Sequence, residues 1–332
     1  MSHYHHLSPF ERESILKNVA LGQSIRVIAA LLKRSPATVS RELARNAPQK
    51  ERYSAVRAEE NYQARRKACH RQPLLRHAAL RDRVQDLILE HHWSPEQIAQ
   101  RLAFEQSPWR ISCTTLYRGI ERHLLDTSDR QPGQRGLARH LRHRGKSRHS
   151  KGYVEHRGKI DYGLSIEDRP AAATTRRVIG HWEADTVLGK LGTDCLVTCV
   201  DRATRFLLVA KAARKTAQAV TGKLIGLLGA LPEEQRQSVT PDRGKEFAWY
   251  ARITEKLGVP FYFPAPHAPW QRGSNENTNG LLREYFPKGH DLAQDSDAAI
   301  QSVVDELNHR PRKCLGWRTP YEAFYHQVLH LI

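Results

Sequence analysis

Between residues 176 and 213 the sequence carries three apolar runs in close succession, "RRVIGHWEADTVLGK", "TDCLVTCVDRATRF" and "LLVAKAA". Their Val, Leu, Thr and Cys content predicts three strands, and tight turns at 189–193 and 202–204 make consecutive strands antiparallel. The chain then alternates. "TAQAVTGKLIGLLGAL" reads as an amphipathic helix, "QSVTPDRG" as a short strand, "KEFAWYARITEKLG" as a helix and "VPFYFPAP" as a strand, with helices following from about Ser274 and about Asp295. A meander leading into alternating helix and strand is a mixed α/β domain, expected over residues 175–332.

The front of the chain follows a different grammar. Ser8-Pro9 opens a helix with Glu11 and Glu13 near its positive end, and Gly22 closes it. Ser24 caps "IRVIAALLK", and Ser35-Pro36 starts "ATVSRELARN". Two short helices in this arrangement make a helix-turn-helix, expected over residues 1–50. Val39 and Leu43 would pack inward, leaving Thr38, Ser40, Arg41 and Arg45 for DNA. A second such unit lies within the helical region 51–128, where Ser94-Pro95-Glu96 and Ser112 begin successive helices. Residues 129–174 read as a basic linker, in which Arg142, Arg144 and Lys146 would run along phosphates.

Charge supports that division. Residues 1–160 hold 31 Lys and Arg against 15 Asp and Glu, whereas residues 161–332 hold 22 against 20. The excess at the front points to a polyanion, most simply double-stranded DNA. The five cysteines form no C-x-x-C pair and no even set for a disulfide framework, so they are expected to be reduced and mostly buried. Cys195 and Cys199 should share one face of their strand. With no signal peptide and no membrane span, the expected place is the cytoplasm, in association with the nucleoid.

Acids in the second half sit where water is scarce. Asp185 lies inside the first strand among Ala184, Thr186, Val187 and Leu188, where an unpaired carboxylate is costly. Asp242 follows "SVT" at the carboxyl end of a strand, and Glu276 opens a later helix. Three such carboxylates can hold two Mg²⁺ ions, with Mn²⁺ as a substitute, for phosphoryl transfer. Glu183 is expected to face away from Asp185, and Asp194 and Asp201 to lie near turns. Spacing alone leaves Glu246, four residues after Asp242, open beside Glu276. Arg272 reads as a phosphate contact, and Asn275 and Asn279 as DNA contacts or helix caps. Trp270 is open between packing and stacking on a base, Trp182 reads as core, and His181 and His267 as structural. Arg310, Arg312 and Lys313 would bind DNA backbone or cap the final helices.

At "GHWEADTVLGK", "VTPDRGKEFA", "PHAPWQRGSNENTNGLLREYFPKG" and "LNHRPRKCLGWRTPYEAF", together with the N-terminal helix-turn-helix, the chain resembles transposases of the insertion sequence 30 family. These belong to the wider group with ribonuclease H-like DDE domains. The resemblance implies Asp185, Asp242 and Glu276 as the catalytic triad, with 33 residues between the last two. Two positions depart from the family pattern: Ala184, where glycine is common and whose methyl is expected beside the metal site, and Arg243, where asparagine is frequent. The implied activity is binding of terminal inverted repeats, Mg²⁺-dependent cleavage and strand transfer into target DNA, by a homo-oligomer assembled on paired ends. The alternative is a DNA-binding repressor with a decayed catalytic domain, but all three acids are retained at this spacing.

Overall fold

The computed structural model describes residues 5–47, 49–69, 73–127, 136–141, 163–190, 194–265 and 268–332. They fall into two compact units, Met1–Arg76 and His77–Ile332. Arg142, Arg144, Lys146 and His267 lie outside the described residues.

The first unit is helical: α1 (Pro9–Ala20), α2 (Ile25–Leu31), α3 (Pro36–Asn46) and α4 (Ala55–Ala68). The serines read as start signals close the first turns. Ser8 and Glu11 form a reciprocal capping box, while Ser24 and Ser35 accept from the amides of Val27 and Thr38. Gly22 takes a left-handed conformation, φ 70°, just beyond α1. Val39 and Leu43 are buried with Ile15, Ile28, Tyr53 and Ala58. Arg12, 2% exposed, ties the unit together by pairing with Glu42 at 2.8 Å and Glu59 at 2.6 Å. Glu59 lies on α4, so this helix belongs to the first compact unit.

The second unit begins with α5 (Ala78–Leu89), α6 (Pro95–Phe104) and α7 (Cys113–Glu121). It continues through β1 (Leu164–Ser165), α8 (Ala171–Thr175), β2 (His181–Leu188), β3 (Cys195–Asp201), β4 (Leu207–Ala212) and α9 (Ala217–Gly229). Then come β5 (Ser238–Thr240), α10 (Tyr250–Leu257), β6 (Tyr262–Phe263), α11 (Gly273–Tyr285), α12 (Asp297–Asn308) and α13 (Pro320–Tyr325). The sheet runs β4-β3-β2-β5, antiparallel across the meander and parallel between β2 and β5.

Alternation sends Trp182, Ala184, Cys195, Val197 and Cys199 to a core with Val220 and Leu224 of α9 and Ile253 of α10. Val187, Leu196, Val200 and Val209 join Leu281 and Leu282 of α11 and Ile300 and Val304 of α12 on the other face. A sheet covered by helices on both faces is the mixed α/β, ribonuclease H-like arrangement expected. Cysteine burial is narrower than expected: Cys195 and Cys199 are buried, whereas Cys69 and Cys314 are exposed. Among the described residues no helix is long and apolar enough to cross a membrane.

Helices α6 and α7 follow each other where a second helix-turn-helix was expected, with Ser94 in a capping box and Ser112 accepting from the Thr115 amide. This pair is anchored to the C-terminal segment. Arg101, fully buried, donates to both oxygens of Glu322 (2.7 and 2.6 Å), to Glu105 (2.6 Å) and to the carbonyls of Trp317 (3.0 Å) and Leu329 (2.7 Å). Glu105 in turn accepts from the amides of Leu331 and Ile332.

Candidate active site

Strands β2 and β5 run parallel, and their last paired residues are Glu183 and Thr240. Asp185 and Asp242 each lie two residues beyond, which places Asp185 inside β2, past the paired stretch, level with Asp242 just after the end of β5. Each carboxylate is held. Asp185 Oδ2 accepts from Asn279 Nδ2 and pairs with Arg272 Nη2, both at 3.1 Å, and its Oδ1 accepts from the Thr186 amide at 2.7 Å. Asp242 Oδ1 accepts from the Gly244 amide at 2.8 Å. Burial first, then the charges of Asp185 and Glu246, push the Asp242 carboxyl up to about 6, against the opposing pull of Arg272.

Glu246 stands close by in the turn after β5. It is 5% exposed, pairs with Lys215 at 2.6 Å and accepts from Thr186 Oγ1 at 3.1 Å. A Cβ on Gly244 would meet its carboxylate at 2.2 Å and push that side chain aside. Glu276 lies in the first turn of α11 and is exposed. It is four residues after Arg272 and three before Asn279, both of which reach Asp185, so Glu276 lies on the same side of α11 as those two residues. Among the described residues no three or more His, Cys, Asp or Glu side chains are close enough together to hold a metal ion. The paired aspartates nevertheless fit one: their donors are all oxygen, their charges repel, and the Arg272 guanidinium stands as a cation on Asp185.

Several neighbours differ from the sequence reading. Glu183 faces the same side as Asp185, because residues two apart on a strand share a face. It is fully buried, ion-paired with Arg202, and accepts from the Asn275 amide at 2.8 Å, which fastens the start of α11 to β2. Sequence alone did not reveal this pair; the signal available was a second acid in register with Asp185. Asn275, read as a DNA contact or a helix cap, is 1% exposed in the first turn of α11. Asn279 and Arg272 hold Asp185. The Ala184 methyl is buried in the opposite core and so does not crowd the acids; its carbonyl accepts from Arg272 at 2.8 Å. Arg243 donates to the Pro264 carbonyl at 3.0 Å.

His181 is buried, with Nδ1 2.7 Å from Ser238 Oγ, and burial followed by Arg169 and Arg202 lowers its pKa. It joins β2 to β5. Trp182 is fully buried as expected. Asp201 is buried and accepts from the amides of Gly180, Ala203 and Thr204. Asp194 lies 3.9 Å from Lys211. Arg310 pairs with Glu284, Arg312 donates to the Leu307 carbonyl and Lys313 pairs with Glu96 at 2.8 Å.

In the first unit, Ser40, Arg41 and Arg45 are exposed on α3, and Thr38 is half-buried. Thr38, Arg41 and Arg45 line a cleft with His6, Arg12, Tyr62 and Arg65, whose only acid is Glu42. Such a surface suits a phosphate backbone.

Residues 3–46 match the helix-turn-helix domain family, and residues 175–269 match the integrase core domain family, a match that stops short of Glu276. An integrase core implies dependence on a divalent metal ion in general. Over 326 residues the chain is 39% identical to transposase InsI of insertion sequence element IS30A from Escherichia coli K12, spanning 96% of this chain and 82% of that protein. It is 36% identical over 330 residues to the transposase of IS1086 from Cupriavidus metallidurans, spanning 96% and 94%. The transposase of IS4351 from Bacteroides fragilis is 34% identical over 321 residues, spanning 96% and 95%. With its helix-turn-helix, its integrase core and this likeness along nearly its whole length, the chain belongs to the insertion sequence 30 family of transposases.

Proposed function

We propose that this transposase binds the terminal inverted repeats of its own element through its helix-turn-helix units, cuts at the element ends and joins the freed 3′-hydroxyl to target DNA. Asp185, Asp242 and Glu276 are the acids of that chemistry. The observation that carries the reading is the aspartate pair formed by Asp185 inside β2 and Asp242 just beyond β5, where Asp242 is pushed up to about 6 by burial and its acidic neighbours.

Asp185, Asp242 and Glu276 would hold Mg²⁺, two ions in all, which when bound polarises the phosphate and favours the attacking oxygen. Asn279 fixes the direction of Asp185, and Arg272 balances its charge in the absence of DNA. Glu183 keeps α11, and so Glu276, against the sheet. Glu276 is exposed at the face a phosphate would approach, whereas Glu246 is already engaged by Lys215 and Thr186. Ser40, Arg41 and Arg45 meet DNA from α3, and the protein assembles as a homo-oligomer on paired ends.

The test is cleavage and joining on DNA from both flanks of the gene with Mg²⁺. Wild type forms product, Glu276→Gln loses about 10³-fold or more, and Glu246→Gln retains most of it. The reverse order for the two glutamates would reassign the third acid. Specific binding of the ends with no product from wild type would sink the catalytic reading.

A further inference from the structure

Trp270 is 75% exposed, which settles it as no part of the core. It belongs to the short turn Pro269–Arg272 that leads into α11. Its neighbours are fastened at several points. The Gln271 amide donates to the Ala268 carbonyl at 3.1 Å, Gln271 Oε1 accepts from the Ala265 amide at 2.9 Å, and the Gln271 carbonyl accepts from Arg202 at 3.4 Å. Arg272 bridges the Ala184 carbonyl and Asp185, at 2.8 and 3.1 Å. The indole therefore projects from a backbone pinned beside the aspartates, two residues before the cation that touches Asp185.

We infer that Trp270 stacks on a nucleobase next to the phosphate that is cut. The inference rests on the transposase reading above. An indole face accepts any base without reading its edge, and such stacking is sequence-tolerant. Inside an intact duplex both faces of a base are covered by its neighbours. The base that Trp270 contacts is thus one taken out of the stack at the element end, at a cost that contact with the indole offsets. Held there, it keeps the adjoining phosphate in line with Asp185 and Asp242. Trp270 is a substrate-positioning residue; Arg272, its neighbour, supplies the adjacent positive charge for the phosphate.

The experiment uses the full chain and duplex oligonucleotides carrying the flank sequence, with 2-aminopurine placed in turn at each position near the cleavage junction. Wild type, Trp270→Ala and Trp270→Phe are compared. Trp270→Ala is expected to cleave roughly tenfold to a hundredfold more slowly while binding the ends about as tightly as wild type. Trp270→Phe recovers most of the rate. Wild type changes the 2-aminopurine signal at one position, Trp270→Ala does not, and an abasic nucleotide there brings the two rates together. Equal cleavage by wild type and Trp270→Ala would overturn the inference and leave the transposase reading standing. So would a defect that persists undiminished on the abasic duplex, or one that tracks a change of oligomeric state, which would make Trp270 a protein contact. A wild-type protein that cleaves no flank DNA would remove both.

Discussion

Helices α2 and α3 begin as α6 and α7 do, with a serine hydroxyl closing each first turn, yet the two pairs are anchored by different means. In the first unit the buried cation is Arg12, which pairs with Glu42 and Glu59 of the same small unit. In the second it is Arg101, whose partners include Glu322 and carbonyls more than two hundred residues further along. Capping is a local property and recurs wherever the local sequence recurs. Anchorage is a tertiary property: Arg12 holds its helices within the first unit, and Arg101 ties its pair to the C-terminal segment of the second.

Removing the anchors should separate the two most strongly. Arg101→Ala leaves Glu322 and Glu105 buried without their partner and is expected to cost the second unit about 3–5 kcal/mol. Arg101→Lys should not restore it, since an ammonium cannot make the two-pronged contact with Glu322. Arg12→Ala should cost the first unit about 3 kcal/mol, less because Glu59 is 25% exposed. Urea unfolding with peptide-resolved hydrogen exchange reads the two units apart. Equal loss in both units from either variant would break the distinction.

A pH titration sharpens it at the site. Asp242 has a folded pKa raised to about 6, so the unfolded chain gives up this proton first and the second unit loses stability as pH rises from about 4 to 6. Above that window the loss is complete. Asp242→Asn cannot ionise, and in chelator it should be more stable than wild type by about 2–3 kcal/mol at pH 8, with the advantage gone below about pH 4. Thermal melts of both proteins across this range check the sign. An advantage that grew toward acid would refute it.

The smallest effect belongs to the caps. Ser35→Ala and Ser112→Ala should each cost about 1 kcal/mol, the first in the first unit and the second in the second. The same unfolding measurement distinguishes them.

What the sequence makes legible follows the same division. Ser-Pro starts, the glycine stop at Gly22 and the three strands of the meander depend on neighbours in the chain, and each is found where its residues predict it. Asp185 stood out because an acid inside an apolar strand needs a partner. The partners themselves, Arg272 and Asn279, come from a helix that crosses the sheet some ninety residues later. Strict alternation puts Glu183 on the face of Asp185, contrary to the expectation, and its mate Arg202 is visible only once β2 and β3 pair. For Asn275 the sequence left DNA contact and helix capping open, because composition does not fix where the first turn points; the Glu183 carboxylate, which holds the Asn275 amide, does.

The exposure of Glu276 bears on how such elements age. Under its proposed role, the residue on which the chemistry depends contributes little to the packed interior, whereas Glu183 behind it is fully buried. A chance substitution at Glu276 would therefore silence a copy while leaving it folded and able to occupy element ends. One at Glu183 would strip Arg202 of its partner and remove the protein altogether. Decaying copies of this kind of element should pass more often through folded, silent competitors than through simple loss, and each would slow the spread of its active siblings.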